Sequence, residues 1–587
     1  MSGRNCYPRP DFKRENWKSL NGPWQFAFDD ENLGLDGHWE QRSELFTQTI
    51  EVPFCYQCAQ SGIKDNGYHP YLWYMKEFTV PEAFFTQPGQ RVLLRFGAVD
   101  WHCDVWLNGR HVGSHTGGYS PFDLDITASL KKPEDVQRLV LRVEDTLACD
   151  QPRGKQTWLQ KPDRCWYTPV SGIWQSVWLE AVPPLHIRTF STIPRLEDSS
   201  LDCALTLSGP VVGDSMLKME ISYAGCVVQT LSMKITQSHT VFSLPIHEED
   251  YVDEVHYWSP EHPNLYDVHL RFCQGEYIDS VETYFGMRSI ETQNGMVLLN
   301  HRPFYQRLLL HQGYYDGGLL TALNDEDYRA DLQLIRDMGF NGIRMHQKME
   351  DPLLYYWADR LGLVVWAELP SCYSFSENAM EHTLRLATAA VRRDINHPSI
   401  ICWVPLNESW GVRNIYSNPE QQQFALSLYH WIKSLDCSRL VSTNDGWEQV
   451  TSDLCCIHDY APDGDELAAK WENMDQLLAT HAAGRMIYAQ GFHHAGQPVI
   501  LSEFGGIAYK TYFSDDDWGY AGRETSQEEF LIRLRSLLQY IAGNSSIRGF
   551  CYTQFTDVMQ EVNGLVSEDR TPKAPVKVIR EIIQSQA

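Results

Sequence analysis

Two kinds of hydrophobic spacing divide this chain of 587 residues. As far as about residue 289, apolar and polar positions alternate over short segments, and no helical period is sustained. Val92-Leu93-Leu94-Arg95-Phe96 and Cys103-Asp104-Val105-Trp106-Leu107 read as half-buried strands. Asn108-Gly109 reads as a hairpin turn, because both residues tolerate the positive φ such a turn demands. So many short strands predict a jelly-roll β-sandwich over 1–185. After the Pro183-Pro184 junction, strand-like segments such as Tyr266-Asp267-Val268-His269-Leu270 predict an immunoglobulin-like sandwich over 186–289.

From 290 to 587 the pattern becomes strand, helix, strand, helix. Tyr328, Leu332, Ile335 and Met338 share one helical face, with Asn324 as N-cap and Gly339 as the stop; Asp351-Pro352 starts the next helix and Gly362 ends it. Strands are predicted near 304–308 and over 342–346, 363–368, 400–408, 440–444, 454–460, 499–503 and 549–554. Eight such units predict a C-terminal (β/α)8 TIM barrel. The runs 400–408 and 499–503 both end on a glutamate, Glu408 and Glu503, which places one carboxylate on strand four and one on strand seven. The other strand ends carry Arg344, His346, Glu368, Asn407, Asp445, His458, Asp459 and Tyr460. Buried carboxylates are costly without partners or a function. Two at one barrel mouth are the minimum for glycoside hydrolysis, and a retaining mechanism needs them about 5–5.5 Å apart.

Composition narrows the partners. A net charge of −27 argues against nucleic acid or an anionic membrane as a partner. No run approaches a membrane span, and the N-terminus does not read as a signal peptide. The 15 scattered cysteines read as reduced thiols of a cytoplasmic protein. Cys55 and Cys58 have redox spacing, but no second pair or redox-type helix accompanies them. No dense metal-ligand motif stands out and no cofactor is expected. A homo-oligomer is left open.

Trp403-Val404-Pro405-Leu406-Asn407-Glu408-Ser409-Trp410-Gly411 and Leu501-Ser502-Glu503-Phe504-Gly505-Gly506 resemble the acid/base and nucleophile segments of glycoside hydrolase family 2. Gly172-Ile173-Trp174-Gln175-Ser176-Val177-Trp178 and Gly117-Gly118-Tyr119-Ser120-Pro121-Phe122 resemble its N-terminal sandwich. The resemblance implies Glu408 as acid/base, Glu503 as nucleophile, Asn407 as a ligand of the sugar 2-OH and Tyr460 as a hydrogen-bond partner of the nucleophile. Arg344, His346, Asp459, Trp410 and Trp447 are further substrate-binding candidates, with Glu368 and Asp459 as alternative partners of Arg344 or Arg307. The chain lacks the Asn-x-Lys element by which β-glucuronidases of the family hold the substrate carboxylate; residues 560–569 stand in its place. The reading is an exo-acting β-glycosidase taking a small-molecule or oligosaccharide β-glycoside, with β-galactoside slightly ahead. The alternatives are a β-hexuronidase using Arg344 or Arg307, a pentosidase or furanosidase, and a non-catalytic carbohydrate-binding protein.

Overall fold

The computed structural model describes residues 4–132, 134–159, 161–246 and 255–585. The N-terminal part is a sandwich of two antiparallel sheets. Six strands, among them Gly22–Phe28, Tyr71–Phe78 and Gln137–Glu144, face four that include Arg91–Phe96 and Val177–Val182. Trp24, Phe26, Tyr74, Leu94 and Phe96 fill the space between them. Asn108 and Gly109 both adopt positive φ and join His102–Leu107 to Arg110–Thr116, as the hairpin reading requires.

A second sandwich packs three strands (Ile187–Arg195, Ser200–Leu207, His239–Pro245) against four. In Tyr266–Gln274 the alternation is plain: Tyr266, Val268, Leu270 and Phe272 are buried while Asp267, His269 and Arg271 face out.

The barrel has eight parallel strands: β1 Gln306–His311, β2 Gly342–Met345, β3 Val364–Glu368, β4 Ile400–Val404, β5 Leu440–Val441, β6 Cys455–His458, β7 Val499–Gly505 and β8 Ile547–Thr553. They pair in the order 5-4-3-2-1-8-7-6. In the connection between β5 and β6 the Gln449 side chain holds the backbone of Cys456, donating to Cys456 O at 2.7 Å and accepting from Cys456 N at 3.1 Å. Helices α1 Asp325–Asp337 and α2 Pro352–Leu361 begin and end on the predicted signals. Asn324 and Asp327 form a capping box, Asp351 accepts from Leu353 N, and Gly362 closes α2 at φ 72°.

Two features shape the mouth. Strand β4 is shorter than its apolar run, because Pro405 has no N–H to continue the ladder; pairing resumes only at Leu406–Asn407, against Asn444–Asp445. The loop between Glu144 and Gly172 of the first sandwich crosses onto the barrel. There Arg153 N donates to Ser371 O at 2.9 Å and Tyr373 OH donates to Gly154 O. Among the described residues no helix is long and apolar enough to cross a membrane. All 15 cysteines, Cys55 and Cys58 included, are free thiols.

Candidate active site

The break in β4 delivers Glu408. Glu408 (φ 51°) and Ser409 (φ 57°) both take the left-handed conformation, uncommon outside glycine. Three bonds hold that turn: Glu408 N to Asp445 O at 2.9 Å, Ser409 N to Asn444 Oδ1 at 3.0 Å and Ser409 Oγ to Glu448 Oε2 at 2.7 Å. The turn directs Glu408 into the mouth. Its Oε1 lies 2.9 Å from His458 Nδ1 and its Oε2 accepts from Trp410 Nε1 at 3.3 Å. Its side chain is 18% exposed.

Glu503 arrives differently, within the unbroken and wholly buried β7. Its Oε1 accepts from Arg344 Nη1 at 2.7 Å and its Oε2 from Tyr460 OH at 2.5 Å. Tyr460 is braced by Tyr520, stacked at 4.0 Å. One carboxylate oxygen of Glu408 and one of Glu503 lie within 4.8 Å of each other, with His458 between them. With His458 the pair is also the one set among the described residues whose spacing suits a cation.

Beneath the pair lies a buried charge network. Arg344 bonds Glu503, Asn407 Oδ1 at 2.7 Å and Glu368 Oε2 at 2.8 Å, and lies 3.6 Å from Asp445. Burial opposes its charge, but Asp445, Glu368 and Glu503 together hold its pKa well above the usual arginine value. Burial pushes the Glu368 carboxyl up to about 8 against the pull of Arg344, with Asp445 and Glu503 adding to the rise. His458 donates towards carboxylates at both ring nitrogens, Nδ1 to Glu408 and Nε2 to Asp445 at 2.8 Å. Burial works against the imidazolium, yet Glu503, Asp445 and Glu408 raise it to about 10, so it is charged at neutral pH. That cation in turn overcomes the effect of burial on Glu408 and holds its carboxyl below the ordinary range. Gly446 (φ 103°) makes room for the ring, since a Cβ there would stand 2.7 Å from His458 Nδ1.

The structure gathers Asn407, Tyr460, Arg344 and His346 around the two glutamates, with His346 Nδ1 3.2 Å from Glu368 Oε2. Trp410 touches Glu408, but Arg413 covers one of its faces at 3.7 Å. Trp447 meets His458 edge-on at 5.6 Å, and its Nε1 has no protein partner.

Three expectations are corrected. Asp459 does not face the mouth: its carboxylate accepts from Lys470 Nζ at 2.8 Å, Trp471 Nε1 at 3.0 Å and Ala461 N at 3.0 Å. Arg344 does not offer a two-pronged face to a substrate carboxylate: it is fully buried, and both its terminal nitrogens are taken by protein acids and Asn407, leaving only Nε without a partner. Arg307 lies at the N-terminal end of β1, the opposite end of the barrel, with Glu261 as its charge neighbour.

Sequence reasoning named His458 and Asp445 only as strand ends and missed their contact with Glu408. It also missed Lys155, Trp166 and Tyr167 of the crossing loop. Trp166 packs edge-on against Trp410 at 4.9 Å, and Tyr167 OH donates to Glu561 Oε2 at 2.7 Å. A cleft of about 860 Å³ lies elsewhere, between the sandwiches and the barrel beside Arg95, Arg188 and Arg393.

The chain matches three family models: the glycosyl hydrolases family 2 sugar binding domain over 17–183, glycosyl hydrolases family 2 over 185–288, and the family 2 TIM barrel domain over 290–587. It is 24% identical to a beta-glucuronidase of Canis lupus familiaris, with 99% of this chain and 92% of that protein aligned. A putative beta-glucuronidase of Formosa agariphila is 27% identical over 75% of this chain, which spans 52% of that protein's length. A beta-galactosidase of Thermoanaerobacter pseudethanolicus is 26% identical, over 68% of this chain and 51% of that one. The fold is that of the Dictyoglomus thermophilum beta-D-glucuronidase, with TM-score 0.77, 19% identity and 98% of each chain covered. The Ruminococcus gnavus beta-glucuronidase with D-glucuronic acid gives TM-score 0.77, 18% identity and 100% coverage of both chains. The chain belongs to glycoside hydrolase family 2 and is a β-glycosidase.

Proposed function

We propose that this protein is a retaining exo-β-glycosidase acting on terminal β-hexuronides. Residues 290–587 carry the chemistry and the 1–185 and 186–289 sandwiches frame it. The single observation behind the mechanism is the approach of Glu408 and Glu503 to within 4.8 Å, with different donors on each. That spacing is close to the roughly 5–5.5 Å of retaining enzymes and well short of the roughly 6.5–9.5 Å of inverting ones, and suits a covalent glycosyl-enzyme.

Glu503, its two oxygens oriented by Arg344 and Tyr460, attacks the anomeric carbon. Glu408 protonates the departing oxygen, then takes a proton from the water that cleaves the glycosyl ester. The acid step needs a proton that Glu408 lacks in the free protein. His458 holds one 2.9 Å away, so the pair is the unit that titrates. Asn407, its Oδ1 occupied by Arg344, keeps its amide N–H for the sugar 2-OH.

The choice of a hexuronide over the β-galactoside favoured by the sequence rests on the relatives, most of which are β-glucuronidases. A neutral sugar is the second reading. It is supported by the 560–569 segment, which holds a buried acid, Glu561, and no Asn-x-Lys element. The free thiols support a cytoplasmic setting.

The test is a panel of aryl β-glucuronide, β-galacturonide, β-galactoside, β-glucoside and α-L-arabinoside. The highest kcat/KM is expected on a hexuronide; turnover confined to neutral sugars overturns that choice.

A further inference from the structure

The uronide reading requires a cation for the substrate carboxylate, and most of the basic groups around the mouth are already engaged. Arg344 is shared among Glu503, Glu368 and Asn407. Lys348 donates to Glu350, Gly313 O and Leu320 O. Lys470 is held by Asp459, Arg485 by Glu448 and Lys573 by Asp557. Arg413 is exposed and lies flat on Trp410.

Lys155 is different. It is only 6% exposed, yet among the described residues no carboxylate comes within 4.0 Å of its ammonium. Its ammonium lies over the Tyr167 ring, 5.7 Å from the centroid, and the neighbouring Cys165 thiol is neutral at pH 7 because burial pushes it up to about 11. Glu561, Glu408 and Glu503 act on Lys155 only at longer range, and Glu561 is itself occupied by Tyr167 OH and Asn563 Nδ2. A buried ammonium without a close anion is costly. A sugar hydroxyl would leave its charge uncompensated, whereas a carboxylate would satisfy both charge and hydrogen bonding.

The position of Lys155 is built rather than incidental. Its backbone carbonyl accepts from Tyr167 N at 2.8 Å. The preceding Gly154 (φ 59°) packs so closely on the barrel that a Cβ would stand 2.3 Å from Gln347 O.

We infer that Lys155, carried by the crossing loop of the N-terminal sandwich, is the carboxylate anchor for the sugar of a β-hexuronide. The inference rests on the hexuronide reading and assigns it a residue. It replaces Arg344 and Arg307, and places sugar selection on a different domain from bond cleavage.

The test assays wild type, Lys155→Met and Lys155→Arg on aryl β-glucuronide and β-galacturonide and on the matching neutral β-glucoside and β-galactoside. The uronide-to-neutral ratio of kcat/KM should fall by on the order of 30-fold or more in Lys155→Met, mostly through KM, and recover in part in Lys155→Arg. Free glucuronate should lose potency as a competitive inhibitor to a similar extent. Lys155→Gln repeats the measurement should Lys155→Met not fold. A wild type active on uronides whose ratio is unchanged by Lys155→Met overturns the Lys155 assignment alone, as does an equal loss on every substrate. A wild type active only on neutral sugars overturns the hexuronide reading, and this inference with it.

Discussion

The ends of β4 and β7 present the same side chain to the same mouth by opposite means. Strand β7 runs unbroken through Glu503, and the two donors on that carboxylate, a guanidinium and a phenol, keep their protons at neutral pH. Strand β4 stops at Pro405, and Glu408 projects from a left-handed turn onto the His458 imidazolium, whose Nδ1 proton is directed at the carboxylate. The first environment keeps a carboxylate ionised and aimed. The second couples a carboxylate to a proton. Two identical residues thus receive different chemistry from the backbone beneath them and from the donors around each.

The comparison is broken most severely at Glu503. Glu503→Gln should lower kcat on an activated aryl glycoside by about 10⁴-fold or more with the fold intact by circular dichroism. Substantial remaining turnover would remove it as nucleophile. Tyr460→Phe deletes one donor to the same carboxylate. Hydrogen bonds to charged groups are worth about 1.5–3 kcal/mol, so a loss of roughly 10- to 100-fold in kcat is expected. An unchanged kcat would mean that the Tyr460 contact does not persist with substrate bound.

His458→Asn sharpens the other half. If the Glu408–His458 pair holds the proton together, the basic limb of the kcat/KM profile should move to lower pH in the variant. A fixed limb, or one moved upward, would assign His458 to packing alone. The same group links stability to pH. Its pKa is raised on folding, so its contribution is complete below the unfolded value near 6.5 and is lost as pH rises through about 10. The melting midpoint of wild type should therefore fall between pH 7 and 10 more steeply than that of His458→Asn.

Much of this architecture can be read from the chain, and the exceptions share a cause. Apolar runs ending in Glu408 and Glu503 announce the strands, and Asn324, Asp351 and Gly362 announce helix ends, because those signals are local. Pro405 was also visible, but its interruption of β4 depends on whether the partner strand can resume pairing, as Asn444–Asp445 does. Asp459 and Arg344 have the right residue types for binding sugar; what disqualifies them is a partner on the helix Gly464–Trp471 for one and a set of strand-end acids for the other. Lys155 is hidden most completely. It lies 253 positions before Glu408 (408 − 155) in a segment that reads as an ordinary loop of another domain.

The central claim, that Glu408 and Glu503 are close enough for a covalent intermediate, is tested most directly by following the anomeric proton of the first-formed sugar by NMR during rapid hydrolysis of an aryl β-glycoside substrate. The account predicts the β-anomer first, with the α-anomer appearing only as mutarotation proceeds. Initial release of the α-anomer would contradict it.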